Sequence, residues 1–333
     1  MYPKKACAVS RAPGDPIGGY FQFEPEGGQG LPWLQEASAF QSARAGLAAA
    51  LMAAQPQAIW APHYICGVVD SMLLWLGVPI HRYRLAGDLG IPREVQPGPD
   101  DWVLCVDYFG LSAPRVAEAS LRFGAHRVLV DASQSLYYQP PVGGSVVFSP
   151  RKFVGVPDGG LVRTPLPLGL PAGPDEAASR ARCQHLATRS AGQVETGYTQ
   201  FQQAEASLAG CVPQALSNHT RAMLGRIDFA QVAIRRRENY RTLAQGLAGG
   251  GFKLIDMAEG MVPLCFPISE VDAPLLRRKL LQRRIFTPTY WADANVPETD
   301  HIALKLRDNT LYLPCDQRYD ANDMQTIIQA LTD

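Results

Sequence analysis

The sequence predicts an α/β protein with a large, mixed but mostly parallel sheet and a smaller C-terminal α/β domain. Short apolar runs alternate with helical stretches through the first half of the chain, the pattern of a parallel sheet covered by helices on both faces. A Pro/Gly-rich segment at residues 164–176 then ends this alternation. The chain has 333 residues and is 47% hydrophobic, which is enough apolar material for two cores.

The sheet-building half begins with an alanine-rich stretch from Glu36 to Gln55, which has no internal proline and predicts a buried helix. Strand-like and helical runs follow in alternation: AIWAP, CGVVDSMLLWLG, PIHRYRL, WVLCVDYFG, APRVAEASLRFG, HRVLVD, GSVVFS and GGLVRT. Sheets of this kind hold ligands at the carboxyl ends of their strands, so functional residues are expected there.

The second half is mainly helical as far as Leu247. Its charged run RRREN, in a predicted helix from Ser217 to Leu247, is interpreted as a solvated helix face, because charge runs usually are. A run of three glycines after Ala248 closes that helix. FKLID, VPLCFPIS, APLLRRKLLQRR, TLYLP and a last helix from Asp320 complete a small α/β unit. We therefore predict a large domain at 1–240, with its sheet ending near 165, and a small domain at 241–333.

The charge balance favours a small-molecule partner. Lys plus Arg and Asp plus Glu each number 31, so the chain has no net field to attract nucleic acid or an anionic membrane. No apolar run reaches the length of a bilayer span and the first residues carry no signal-peptide pattern, which predicts a cytoplasmic protein. The seven cysteines include no CxxC pair and are expected to be reduced core residues.

Several common site motifs are absent. The lysine-containing stretch GGSVVFSPRK lacks the spacing of a P-loop, and no GxGxxG follows the first strand. His63 and Cys66 stand three residues apart, but no second such pair is present to complete a metal site. We expect no metal and assign these two residues to structure or to pocket lining.

One arrangement does suggest a specific chemistry. The run HRVLV is followed directly by Asp131, and Lys152 comes one strand and 21 residues later, after GSVVFS. A carboxylate at the end of a strand can keep a pyridinium nitrogen protonated, and a lysine facing it can form an imine with an aldehyde. This is the arrangement of a pyridoxal phosphate (PLP) site. Each residue also has an ordinary alternative, Lys152 as a surface lysine and Asp131 as a helix cap.

The order of the short motifs resembles the DegT-type sugar aminotransferases, a family of fold-type I PLP enzymes. The motifs are Ser42-Ala43-Arg44-Ala45-Gly46-Leu47, Pro62-His63-Tyr64, Asp107-Tyr108-Phe109-Gly110, Asp131-Ala132-Ser133-Gln134, the segment around Lys152, and Asp158-Gly159-Gly160. IGGYFQFE near the start, and SNHTRAMLGRID, RRRENY and TPTYW later, extend the resemblance over most of the chain.

The resemblance implies roles for the residues that match the motifs. Lys152 is expected to bind the cofactor covalently, Asp131 to pair with its pyridinium, and Gln134 to donate to its phenolic oxygen. At the N-terminus of the first helix, Ser42, Ala43 and Arg44 stand where the family grips the phosphate. The arginine departs from the family's hydroxyl, so only the backbone role transfers directly.

Three further roles follow from the resemblance with the register left open. Tyr64 is the nearest aromatic residue for stacking on the cofactor ring, with His63 and Cys66 as the alternatives. Ser149, three residues before the lysine, stands where many fold-type I enzymes place a phosphate-binding hydroxyl. Asn218 loosely matches an asparagine that the family extends to the phosphate of a neighbouring subunit.

As a whole, the resemblance implies a PLP-dependent aminotransferase that acts on a keto-sugar, usually nucleotide-linked, with an amino acid such as glutamate as the amine donor. It also implies a homodimer with shared active sites. A dehydratase branch of the family has histidine in place of the lysine, so Lys152 favours transamination. Three alternatives stay open: a non-catalytic PLP-binding or regulatory protein, a PLP enzyme with a non-sugar carbonyl substrate, and an α/β binding protein without PLP.

Overall fold

The structure is a computed structural model and describes residues 14–332. In that range the strands are β1 (Ile17–Gly18), β2 (Ser38–Phe40), β3 (Ile59–Pro62), β4 (Ile80–Tyr83), β5 (Trp102–Val106), β6 (Val128–Ala132), β7 (Ser145–Phe148), β8 (Gly160–Arg163), β9 (Lys253–Leu254), β10 (Phe266–Ser269), β11 (Ile285–Phe286) and β12 (Thr310–Leu313). The α-helices are α1 (Ala43–Ala54), α2 (Gly67–Leu76), α3 (Ala113–Phe123), α4 (Glu176–Arg182), α5 (Gln184–Ser190), α6 (Gly197–Ala206), α7 (Asn218–Leu224), α8 (Phe229–Leu247), α9 (Ala273–Gln282), α10 (His301–Asp308) and α11 (Ala321–Thr332).

A seven-stranded sheet forms the centre of the first half, in the order β2-β8-β7-β6-β5-β3-β4. The pairs β4/β3, β3/β5, β5/β6 and β6/β7 are parallel, and β8 is antiparallel to both of its neighbours. The prediction of a mixed, mostly parallel sheet is therefore confirmed. All residues of β5, β6 and β7 are buried, as expected for central strands covered on both faces.

Helix α1 packs closely on the β7/β8 side of this sheet, and α3 packs on β5 and β6. Gly46 allows the close approach of α1, because a Cβ atom at that position would lie 2.7 Å from Cγ2 of Val162. The carboxyl ends of the parallel strands thus meet at one edge of a fully packed layer.

The first predicted helix begins later than expected. We predicted a helix from Glu36 to Gln55, but β2 occupies 38–40 and the helix starts at Ala43. Alanine content favours helix as a local property, whereas Phe40 is held in the sheet by pairing with Gly160, far away along the chain. Ser42 then marks the helix start, with its Oγ accepting from the Ala45 N–H.

The helical second half is also divided more finely than predicted. The Pro/Gly-rich segment 164–176 contains no strand, and α4, α5 and α6 follow it. The predicted helix from Ser217 to Leu247 consists of α7 and α8 with a break at 225–228, because Asp228 caps α8 by accepting from the Gln231 N–H at 2.9 Å. The helix ends before Ala248, as predicted.

The C-terminal part contains an antiparallel sheet in the order β12-β10-β9 together with α9, α10 and α11, and α11 packs against α8. β1, near the start of the described chain, pairs in parallel with β11. Short elements such as these carry no sequence periodicity and were not predicted. The domain boundary near residue 240 stays a prediction; in the structure that position lies inside α8.

Within residues 14–332 no helix is both long and apolar enough to cross a bilayer. The described cysteines form no disulfide, and Cys7 lies outside the described residues. The same residues hold no group of three or more His, Cys, Asp or Glu side chains placed to bind a metal ion.

Candidate active site

The candidate site lies at the carboxyl edge of the central strands. Asp131 is near the end of β6, and Ser149 directly follows β7. Lys152 ends a short 3-10 turn that begins at Pro150. Because β6 and β7 are parallel neighbours, the chain after β7 returns to the same edge as the end of β6. The sheet topology therefore brings the predicted lysine and the predicted carboxylate together.

Ser133 joins these two residues. Nζ of Lys152 donates to Oγ of Ser133 at 3.0 Å, and the backbone N–H of Ser133 donates to Oδ1 of Asp131 at 2.9 Å. Asp131 is 2% exposed and Ser133 is 5% exposed, so the bond between them is shielded from water, whereas the bond from Lys152 is partly buried. The sequence placed Ser133 in a motif but gave it no role.

Gln134 directly follows Ser133 in the chain, and only one of its two side-chain amide atoms makes a hydrogen bond. Its Oε1 accepts from the backbone N–H of Phe109 at 3.0 Å, whereas its Nε2 is buried and has no hydrogen-bond partner in the described chain. A buried amide nitrogen without an acceptor costs free energy and is rare in folded proteins. The position is therefore one where an acceptor from a bound molecule would be stabilised.

The predicted phosphate end is formed by the start of α1. Ser42 is buried at the N-cap, with Ala43 and Arg44 in the first turn. Gly160 lies directly against this turn, since a Cβ atom there would be 2.1 Å from the Ser42 carbonyl oxygen. Ser149 is 3% exposed. A helix N-terminus with buried hydroxyl groups nearby favours an anion.

The side chain of Arg44 is turned away from this end. Its Nη1 donates to the carbonyl oxygen of Ala209, after the end of α6, and its Nε is buried without a described partner. The guanidinium is thus engaged with the helical half of the chain. Only the backbone of Arg44 remains available for the phosphate role that the sequence predicted.

The three residues considered for ring stacking have different surroundings. Tyr64 is fully buried, and its hydroxyl donates to the carbonyl oxygen of Tyr290 at 3.1 Å. Nδ1 of His63 lies 2.9 Å from Oδ2 of Asp300, the N-cap of α10. Cys66 is partly buried at the start of α2; burial raises the pKa of its thiol, while the positive charge of Lys152 acts in the opposite direction. The choice among the three stays a prediction.

Trp291 is an aromatic neighbour of the lysine that the sequence did not single out. The centroid of its ring lies 5.8 Å from Nζ of Lys152. The residue is 6% exposed and has a φ of 52°, a left-handed conformation that costs a bulky residue about 1–2 kcal/mol. In the sequence, its segment TPTYW is notable only for its resemblance to the family. The tertiary structure is what places it near Lys152.

Asn218 lies at the surface, at the first position of α7. Its backbone N–H donates to the Glu176 carboxylate at 2.6 Å. No hydrogen bond among the described residues joins Asn218 to Lys152, Asp131 or Gln134. Its predicted reach into a second subunit stays a prediction.

A fully buried Arg236 corrects the interpretation of RRREN as a solvated helix face. Its guanidinium donates to the carbonyl oxygens of Phe153, Pro263 and Leu264 and to Oε1 of Gln317, at 2.9–3.1 Å. Cζ of the Arg236 guanidinium also lies 4.6 Å from the centroid of the Phe153 ring. The charge-run rule fails here because backbone carbonyls, rather than water, satisfy these donors. Since Phe153 directly follows Lys152, this arginine holds the segment of the lysine.

Two other elements hold the same segment. Nε2 of Gln317 donates to the carbonyl oxygen of Phe153 at 2.8 Å and to both carboxylate oxygens of Glu24 at 3.0 Å. The N–H of Gly155 donates to Glu24 at 3.2 Å, and burial raises the pKa of that carboxyl. Only glycine fits at 155, because a Cβ atom would lie 1.6 Å from the Gln22 carbonyl oxygen. The backbone after Lys152 is therefore hydrogen-bonded to residues near both ends of the described chain, Glu24 and Gln317.

Asp107, after β5, is a buried acid next to the site. Its backbone N–H donates to the carbonyl oxygen of Asp131 at 3.1 Å. Its Oδ1 accepts from the N–H and the hydroxyl of Ser112, and the hydroxyl of Ser135 also lies close enough to the carboxyl to oppose the rise of its pKa. Burial raises the pKa of Asp107 to about 6. The carboxyl therefore titrates near neutrality.

Comparison with known proteins identifies the fold. No protein-family model and no curated protein matches the chain. Among solved structures, the sugar aminotransferase CalS13 from Micromonospora echinospora aligns with a TM-score of 0.59 at 17% identity, over 89% of this chain and 86% of CalS13. Spr1654 from Streptococcus pneumoniae in its PLP form gives 0.64 at 13% identity, over 95% and 92%. DesI, solved in the presence of its TDP-sugar product, gives 0.61 at 17% identity, over 96% and 92%. The predicted α/β fold with a large, mostly parallel mixed sheet is confirmed, and the chain shares its fold with these three structures.

Proposed function

We propose that the chain is a PLP-dependent aminotransferase that moves an amino group from an amino acid such as glutamate to a nucleotide-linked keto-sugar. The observation that carries the proposal is the Lys152 amine, which is joined through Ser133 to the buried Asp131. Gln134, the residue after Ser133, adds a buried amide nitrogen that lacks an acceptor. The chain shares its fold with CalS13, a sugar aminotransferase, and with DesI, which was solved with a TDP-sugar product.

The residues present fit the cofactor group by group. Lys152 offers the amine for the aldehyde, and Asp131 offers a buried anion for the ring nitrogen. The unpartnered Nε2 of Gln134 offers a donor for the phenolic oxygen. The N-terminus of α1, with the buried hydroxyls of Ser42 and Ser149, offers donors for the phosphate. None of these groups has to leave a described ion pair to do so.

Bound PLP would supply an electron-withdrawing ring that stabilises negative charge on the reacting carbon of the substrate. In that reaction Lys152 would act as the general base, moving the proton between the substrate carbon and C4′ of the cofactor. The carboxylate of Asp131 would pair with the ring nitrogen and favour its protonated form. Ser133 orients the lysine amine, and the buried rings around Trp291 limit the access of water.

The test separates this function from its alternatives. The purified protein, loaded with PLP, is mixed with glutamate, and 2-oxoglutarate and pyridoxamine phosphate are measured; a nucleotide-linked keto-sugar is then added and its amination is followed. Stoichiometric 2-oxoglutarate followed by an aminated sugar supports the proposal. Bound PLP without any amino transfer from a panel of donors would favour the non-catalytic alternative. A protein that stays colourless with PLP would favour a binding protein of another kind.

We also propose that the active form is a cytoplasmic homodimer with shared active sites. Asn218 lies at the surface, as a residue that reaches into a neighbouring subunit must. The side chain of Arg44 is occupied elsewhere in its own chain, so the phosphate end has few side-chain donors and would benefit from a donor supplied by a second subunit.

A further inference from the structure

Trp291 forms part of an aromatic wall on the C-terminal side of the candidate site. Its ring centroid lies 5.0 Å from that of Tyr64 and 5.8 Å from that of Tyr108, with interplanar angles of 59° and 65°. The two tyrosine rings are themselves stacked, 5.8 Å apart. Trp291 therefore packs against both tyrosine rings and also lies near Nζ of Lys152.

The wall is rigidly supported. The hydroxyl of Tyr108 donates to the carbonyl oxygen of Tyr64 at 2.7 Å, and the hydroxyl of Tyr64 donates to the carbonyl oxygen of Tyr290, the residue before Trp291. These bonds connect the chain after β3 with the segment that carries the tryptophan. A side chain held in this way, at a backbone φ of 52°, is fixed by its surroundings rather than by local preference.

The indole is directed at the amine end of the site. Nζ of Lys152 lies 5.8 Å from the ring centroid, within the range in which a cation is attracted to an aromatic face. A pyridine ring joined to Nζ would be separated from that atom by a single carbon. The end of the ring nearest the lysine would therefore lie close to the indole of Trp291.

The chain after β3 does not present an aromatic ring in the same way. The hydroxyl of Tyr64 is held within the C-terminal part, His63 is paired with Asp300, and Cys66, the residue of this segment near Lys152 and Asp131, is not aromatic. Among the described residues, Trp291 is the one whose aromatic ring lies within cation–π distance of the lysine amine.

We infer that Trp291 is a cofactor-binding residue, whose indole packs against the pyridine ring at the end joined to Lys152. The inference rests on the proposed function and adds to it a ring-binding residue from the C-terminal half of the chain. It also makes the binding of a planar aromatic ligand depend on how the segment carrying Trp291 is folded.

The test measures the binding of pyridoxamine phosphate, which has no aldehyde and so binds without a covalent bond. Its parent is the full chain with Lys152→Ala, in which no carried-over PLP can be held as an imine on Lys152. The dissociation constant is measured by calorimetry for the parent and for the parent with Trp291→Phe, Trp291→Leu or Trp291→Met. We expect Leu and Met to weaken binding about tenfold or more, since both lack a ring, and Phe to stay within about threefold. Trp75→Leu on α2, at a residue 49% exposed, is the matched control and should change nothing.

The outcomes separate the two claims. If the parent binds pyridoxamine phosphate and Trp291→Leu and Trp291→Met bind it equally well, the inference is overturned and the proposed function stands. If the parent does not bind it, the proposed function fails and takes the inference with it. Thermal unfolding of every variant identifies loss of folding; should Leu fail to fold, the comparison of Met with Phe decides.

Discussion

At the scale of single residues, Ser133 gives the site its internal order. Its hydroxyl accepts from the Lys152 amine, and its N–H donates to the Asp131 carboxylate, so one small side chain orients both charged groups. Gln134, the next residue in the chain, has a buried amide nitrogen without a described hydrogen-bond partner. The anion near the end of β6 and the cation in the turn after β7 are thus joined by the first residue after β6.

Asp131→Asn should keep cofactor binding and lose most of the chemistry. The amide is nearly the same size and can still accept from Ser133, but it no longer favours a protonated pyridine nitrogen. We expect PLP affinity to stay within about tenfold and the rate of amino transfer to fall about a hundredfold or more. Single-turnover kinetics with glutamate measures this. A variant with the wild-type rate would show that Asp131 has only a structural role.

Asp107 should give the protein a pH-dependent stability. Its pKa is about 6 in the folded chain against an ordinary value of 3.8, so the folded state binds this proton more tightly than the unfolded state. Its contribution is complete below about pH 4 and is lost as the pH rises through about 6. From about pH 4 to about pH 8, the stability of Asp107→Asn relative to wild type should rise by about 2–3 kcal/mol.

Urea unfolding at several pH values measures this difference. Asp88→Asn is the matched control, because the side chain of Asp88 is 50% exposed in a surface ion pair with Arg115. Its stability relative to wild type should change by less than about 1 kcal/mol over the same range. A pH-independent difference for Asp107→Asn would contradict the assignment.

At the scale of elements, the segment after Lys152 is held by parts of the chain that are distant in sequence. Arg236 on α8, Gln317 before α11 and Glu24 near the start all bond to the backbone between 153 and 155. The ring of Phe153 also packs under the Arg236 guanidinium. The position of the lysine therefore depends on the packing of the C-terminal part against the central sheet.

Arg236→Met should destabilise the protein far more than the same change at its neighbour. It leaves the carbonyl oxygens of Phe153, Pro263 and Leu264 without this donor in the interior. We expect a loss of about 3 kcal/mol or more for Arg236→Met. Arg235→Met removes only a surface pair with Glu238, where the arginine side chain is 32% exposed, and should cost under about 1 kcal/mol.

Guanidinium unfolding of both variants tests this, and Arg236→Lys should fall between them, since one ammonium group cannot reach all of these acceptors. If Arg235→Met and Arg236→Met lowered the free energy of unfolding by similar amounts, the interpretation of RRREN as a solvated helix face would be supported instead.

Sequence patterns predicted what depends on neighbouring residues. The alternation of apolar runs gave the sheet, and the ends of β6 and β7 placed Asp131 and Lys152 at one edge. They did not predict the contacts that close over that edge. Trp291 reaches the lysine from the C-terminal half, and Arg236 is buried because distant carbonyl groups accept its donors. Such contacts follow from tertiary packing, which overrides local charge and propensity.

At the scale of the whole molecule, the two ends of the described chain meet. β1 pairs with β11, and the hydroxyl of Tyr319 accepts from the N–H of Gly18 at 2.6 Å. The start of the described chain is thereby attached to the C-terminal part. Asn218 lies at the surface, where a second chain could contact it.

Mixing two inactive variants, Lys152→Ala and Asn218→Ala, tests whether active sites are shared. If Asn218 serves the neighbouring subunit, each mixed dimer contains one site with both residues intact, so up to about half of the mixed dimer's sites regain activity. Amino transfer is measured after subunit exchange has been verified by mass spectrometry. Full activity of Asn218→Ala alone, a monomer by sedimentation, or no recovery in an exchanged mixture would each contradict the shared site.

The most direct test of the central claim is the identity of the residue that binds PLP. The chain has six lysines, and the PLP-loaded protein is reduced with borohydride, digested and mapped by mass spectrometry. We predict that the pyridoxyl adduct lies on Lys152, disappears in Lys152→Ala and persists in Lys279→Ala, a change on α9. An adduct on another lysine, with Lys152 unmodified, would contradict the assignment of this site.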